Sequence, residues 1–79
     1  MKVKIKLIGP LRKYNKEDKI NENGEISIQS NSTINDLINK LNINTKRKLM
    51  FLIDGKQKDS DYKLSDGEKV VILTIVAGG

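Results

Sequence analysis

Val3, Ile5 and Leu7 alternate with Lys2, Lys4 and Lys6, the period-2 pattern of a strand with one buried face. Gly9-Pro10 stops it, and Leu11 to Asn15 has room for one helical turn. The polar stretch from Lys16 to Gly24 ends in Asn23-Gly24, a tight-turn pair. Alternation resumes in Glu25-Ile26-Ser27-Ile28-Gln29, which predicts a second strand. The helix signal follows. Ile34, Leu37, Ile38 and Leu41 hold the i, i+3, i+4, i+7 spacing, while Asn35, Asn39 and Lys40 stay outside. Thr33 is placed to cap its start by accepting a bond from the amide of Asp36, whose charge suits the positive end of the helix dipole. The helix is expected to end near Asn42, followed by a polar connector, Thr45-Lys46-Arg47-Lys48. Leu49 to Ile53 then reads as a strand, Asp54-Gly55 as a hairpin turn, and Lys56 to Lys58 as a short edge strand. After a turn at Ser65-Asp66-Gly67-Glu68, Lys69 to Val76 forms the most apolar strand. One helix against a mostly antiparallel sheet, an α+β domain spanning 1–79, is the packing this order favours.

Two runs are more apolar than a sheet covered on one face needs: Leu49 to Ile53 and Val70 to Val76. Leu49, Phe51, Ile53, Val70 and Ile72 are assigned to the face under the helix. Met50, Leu52, Val71, Leu73 and Ile75 are left on the other face, near the C-terminus. These five read either as central-strand residues shielded by lysine stems or as an apolar docking patch for a partner.

Composition narrows the chemistry. Seventy-nine residues support one modest core, and the chain has neither cysteine nor histidine. Disulfides, thiolate or imidazole metal sites, cysteine nucleophiles and the commonest general base are thereby excluded. No bound cofactor or metal is expected. Apolar runs fall short of the ~20 residues that span a bilayer, and Met1-Lys2-Val3-Lys4 is unlike a signal peptide, so a cytoplasmic protein without a membrane partner is expected. The formal charge is +5, and of the fifteen basic residues only Arg12 and Arg47 are arginines. The lysines are scattered and aromatic stacking residues are few, which argues against nucleic acid as a partner.

The chain ends Val76-Ala77-Gly78-Gly79, directly after the apolar strand. Two terminal glycines arise by chance in about one chain in 200, at ~7% glycine per position, so the pair alone is weak evidence and a frayed end would look the same. Its placement strengthens it. Residues 74–79 are able to project as a finger reaching up to ~20 Å, and chain without branched side chains threads a narrow channel.

The chain resembles the sulfur-carrier family that includes the small subunit of molybdopterin synthase and the thiamine-pathway carrier. The resemblance rests on Val3 to Arg12, on Thr33-Ile34-Asn35-Asp36-Leu37, on Asp54-Gly55, and on Ser65-Asp66-Gly67-Glu68-Lys69-Val70 running to Gly79. It implies a ubiquitin-like β-grasp fold, a mixed four- to five-stranded sheet with one main helix on one face. It also implies a division of labour. An E1-like enzyme adenylates Gly79 with ATP, and sulfur from a donor such as a cysteine desulfurase displaces AMP to leave a thiocarboxylate. Gly78 lets the end pass into active sites, while Val76 and Ala77 complete the inserted tail. The recipient is the large subunit of molybdopterin synthase, or thiazole synthase in the thiamine branch. Gly9-Pro10-Leu11-Arg12 favours the molybdopterin branch. Thr74-Ile75, where that subunit often carries a proline pair, does not distinguish the two. A ubiquitin-like modifier and a passive β-grasp binding module stay open as alternatives.

Overall fold

The computed structural model describes residues 1–15, 19–44 and 48–75. Strands β1 (Lys2–Leu7) and β2 (Glu25–Ser27) precede helix α1 (Ile34–Lys40), and β3 (Leu49–Ile53), β4 (Lys56–Lys58) and β5 (Lys69–Thr74) follow. A 3-10 segment, Gly9–Asn15, leaves the end of β1. The five strands form one sheet in the order β2-β1-β5-β3-β4. All neighbours are antiparallel except β1 and β5, which run parallel in register Lys4↔Lys69 to Leu7↔Ile72. The last strand therefore lies at the centre of the sheet, between the first and the third. A mixed five-stranded sheet under one main helix is the arrangement expected of a β-grasp domain.

Alternation decides which side chains face α1. Val3, Ile5 and Leu7 on β1, Phe51 and Ile53 on β3, and Val70 and Ile72 on β5 are all buried. They meet Ile34, Leu37 and Leu41 from the helix side. Leu49, assigned to this layer from sequence, is only partly buried. Its neighbour across the ladder is Thr74, at the end of the sheet where the core thins out. A seven-residue helix is only about 10 Å long, too short to roof five strands. Leu11 of the 3-10 segment, Ile43 after the helix and Leu64 before β5 complete the cover, each buried.

The termini of the elements follow from local chemistry. The Thr33 hydroxyl accepts from the Asp36 N–H (3.2 Å), and the Asp36 carboxylate accepts from the Thr33 N–H (2.9 Å), a full capping box. Leu41 caps the other end, and Asn42 turns left-handed at φ 56°. Asp54 (φ 50°) and Gly55 (φ 86°) give the β3–β4 hairpin its two left-handed positions, the turn whose twist matches the strands. Strand β2 is shorter than the alternation predicts, because after Ser27 its pairing passes to the chain start, where Ile28 and Met1 exchange backbone bonds.

Candidate functional site

The exit toward the C-terminus lies at the end of β5, at Thr74. Because β5 is central, that exit is flanked on both sides. On one side the ladder to β3 continues one step past the strand, the Ile75 N–H donating to the Lys48 carbonyl at 2.9 Å. On the other, the Ile8 N–H donates to the Ile72 carbonyl at 3.0 Å, and the 3-10 segment folds alongside. Thr74 and Ile75 thus belong to the sheet, which corrects the expected finger of residues 74–79 at its root. An apolar strand pairs through its backbone wherever a neighbouring strand offers partners, and β3 does so as far as Lys48. Val76, Ala77, Gly78 and Gly79, the residues expected to carry the chemistry, lie outside the described residues, as do Thr45, Lys46 and Arg47 of the connector.

The sheet face away from α1 leads up to this exit. Met50 pairs with Leu73 and Leu52 with Val71 across the β3–β5 ladder. Ile75 continues the same parity, so the five residues expected to share that face do share it. Each is half-buried rather than exposed. Ile8 belongs with them: it keeps the parity of Lys2, Lys4 and Lys6, is half-buried, and lies beside the end of β5. The break in the lysine alternation at position 8 was the signal for it in the sequence. Beside the apolar strip stand Lys2, Lys4 and Lys6 on β1 and Lys69 on β5, all exposed, with Lys4 directly across from Lys69.

No group of side chains near the exit, among the described residues, resembles catalytic machinery. Among the described residues there is no cluster of three or more Asp, Glu, His or Cys able to hold a metal. Nor, among the described residues, does any buried side-chain polar atom lack a partner. Of the titratable groups among the described residues, one is clearly perturbed. The Tyr62 hydroxyl donates to a Glu68 carboxylate oxygen at 2.7 Å, and this bond, followed by partial desolvation and the charges of Glu68 and Asp54, raises its pKa. Glu68 also accepts from the Ser65 N–H, so the group works as a clasp on the loop before β5. It sits at the strand's other end, about 20 Å from the exit at ~3.3 Å per residue. The depression lined by Ile28, Gln29, Ser32, Asp36 and Lys40 does bring a hydroxyl, a carboxylate and an ammonium together. Each is engaged with backbone, however: Ser32 donates to the Gln29 carbonyl, Asp36 accepts from the Thr33 N–H, and Lys40 donates to the Ser27 carbonyl.

Comparison with known proteins places this geometry. SAMP1 from Haloferax volcanii superimposes over the whole of both chains with a TM-score of 0.68. At 13% identity this likeness speaks for the shared ubiquitin-like β-grasp fold alone. No curated protein sequence matches the chain. The sequence profile of the ThiS family matches residues 5–79, nearly the entire chain and including its terminal glycines. The domain therefore belongs to the ThiS family, the ThiS/MoaD-type ubiquitin-like sulfur carriers.

Proposed function

We propose that the protein carries sulfur as a thiocarboxylate on Gly79 and delivers it, as the small subunit of molybdopterin synthase, to a pterin precursor. The observation that carries this reading is the family match running to the final residue, Gly79, on a strand that ends at the centre of the sheet. A carboxylate is a poor electrophile, since it is negatively charged and lacks a leaving group. Adenylation by an E1-like enzyme supplies the leaving group: the Gly79 carboxylate attacks the α-phosphate of ATP and releases pyrophosphate. The donor's persulfide then displaces AMP to give an acyl disulfide, and a thiol reductant cleaves its S–S bond to leave the thiocarboxylate; sulfide as donor reaches the thiocarboxylate directly. Members of this family work with E1-like activating enzymes and partner synthase subunits, and this chain, without histidine or cysteine, is suited to being the substrate of such enzymes. Its own contribution is mechanical. Ile75 is anchored to Lys48, which fixes where the last four residues begin. The half-buried strip of Met50, Leu52, Val71, Leu73 and Ile75 serves as the surface on which the partner seats.

The buried Leu11 within Gly9–Asn15 supports the molybdopterin branch, because the Gly-Pro-Leu-Arg segment gives the core its leucine while Gly9, Pro10 and Arg12 stay exposed. One observation favours the thiamine branch instead. The Ile75 N–H is used in a ladder bond, a bond that a proline at that position has no hydrogen to make. Deleting the gene in its own organism separates the two. Loss of molybdenum- or tungsten-enzyme activity, restored by the full chain and not by one lacking Gly79, is the expected result. A requirement for thiazole moves the assignment to the thiamine branch. Ladders of heavier conjugates abolished by removing Gly79 point to a protein modifier, and full rescue by the shortened chain sinks all three readings in favour of a passive binding module.

A further inference from the structure

The lysines on the face away from α1 are arranged in a way that the isolated domain does not explain. Lys4 and Lys69 are directly opposite on adjacent strands, where like charges disfavour the sheet. Lys2 and Lys6 extend the same row, and Lys48, across the ladder from Ile75, adds a fifth by parity. The carboxylate that shares the strand positions of this face is Glu25, paired in register with Lys4. Other nearby acids are engaged with backbone: Asp66 accepts from the Lys2 N–H at 2.8 Å and Asp54 from the Lys69 N–H at 3.2 Å. Among the described residues, the ammonium groups of Lys2, Lys4, Lys6, Lys48 and Lys69 have no hydrogen-bond or ion-pair partner. The chain has fifteen basic and ten acidic residues. Setting aside these five lysines and Glu25 leaves ten against nine, so most of the +5 sits on one side of one sheet.

We infer that this face docks an acidic protein surface, with carboxylates set against Lys2, Lys4, Lys6 and Lys69 and an apolar centre set against Val71, Leu73, Met50 and Leu52. Two observations select a protein with that layout. The half-buried apolar strip lies immediately beside the lysine row, as an interface with a dry centre and charged rim requires. The charge is carried by lysine, with no arginine or aromatic side chain among the strand positions of this face, unlike a surface that reads nucleic acid. The inference deepens the sulfur-carrier reading by giving the chemistry of the partner that handles Gly79, and it rests on that reading for the partner's identity. Opposite charges across a rim speed encounter and select the partner, which suits a carrier that must bind one enzyme, leave and bind the next. The Lys4–Lys69 repulsion is then a cost in the free domain that an acidic partner removes.

The test measures binding of the E1-like activating enzyme encoded in the same genome, in about 0.05 M and about 0.5 M salt. It uses the full chain, a Lys4→Gln/Lys69→Gln variant, and a Lys56→Gln/Lys63→Gln control that removes the same charge from exposed positions elsewhere. The variant is expected to bind about fivefold more weakly at low salt, to approach the full chain at high salt, and to melt at the same or a higher temperature. The control is expected to stay within about twofold of the full chain. Equal weakening by the control, unchanged binding by the variant, or weaker binding together with a lower melting temperature each overturns the inference. Adenylation of Gly79 is followed in the same samples. Salt-sensitive binding without adenylation leaves the docking surface standing and removes the sulfur-carrier reading, while adenylation indifferent to Lys4 and Lys69 does the reverse.

Discussion

On the side of the sheet under α1, Val70 and Ile72 have no measurable exposure, and Ile5, Leu7 and Phe51 stay at 8% or below. One residue along the same strands, Val71, Leu73 and Leu52 remain half-exposed on the opposite side, in a row with Lys4, Lys6 and Lys69. The two sides are cut from the same strands and have similar side chains at their centre, so strand propensity does not separate them. What separates them is whether this chain supplies a second layer. The helix, Leu11, Ile43 and Leu64 cover one side except at its end by Leu49. The other is left with an apolar centre and unneutralised charge, stable enough to persist and incomplete enough to be joined. In a chain of 79 residues, that split gives the fold to one side and leaves the other for the partner proposed above.

The contrast is broken most severely by cutting into the covered side. Leu37→Ala removes a fully buried helix side chain and is expected to cost about 2–5 kcal/mol of folding free energy. That is a large share of the stability of so small a domain, and a denaturant titration reads it as a lower midpoint. Thr33→Ala opens the capping box and should cost about 1 kcal/mol, by the same measurement. Leu73→Lys tests the bare side. A lysine stem lies along an apolar surface with its charge in water, so stability should change by less than about 1 kcal/mol while binding of the activating enzyme falls at least about tenfold. A surviving fold with undiminished binding would remove the apolar strip from the account.

The smallest expected effect concerns the clasp before β5. The hydrogen bond to Glu68 holds the proton on Tyr62 and raises its pKa above the ordinary value near 10. A group whose pKa is raised by folding contributes stability that is fully present below the unfolded value and lost as pH climbs through the folded one. Tyr62→Phe should therefore be modestly less stable at neutral pH. The gap to the parent chain should narrow above about pH 10, as seen by denaturation across an alkaline series. A gap that stays constant would mean the hydroxyl proton has no part in it.

Much of this contrast is legible in the sequence because a strand's alternation carries it. Val3, Ile5 and Leu7 against Lys2, Lys4 and Lys6 announce both sides of β1, and Thr33 with Asp36 announces the start of the helix. The excess of apolar residues in 49–53 and 70–76 points to the second surface. Other parts have no periodic signature. Leu11, Ile43 and Leu64 stand alone in turns, so their burial depends on where the chain passes in three dimensions. The parallel pairing of β1 with β5 joins segments about sixty residues apart, and no local pattern encodes a partner at that distance. Likewise, Lys4 and Lys69 are ordinary strand lysines until the register sets them side by side. Ile75 is held to the sheet because Lys48 offers it a carbonyl, a pairing visible only once β3 is in place.

The most direct test of the account is the mass of the chain after incubation with its E1-like enzyme, ATP and a sulfur donor, with fragmentation to locate any change. The account predicts a gain corresponding to sulfur in place of oxygen, confined to Gly79 and lost when ATP is withheld. An unchanged mass with an active enzyme, or sulfur found anywhere but the terminal carboxyl group, would contradict it.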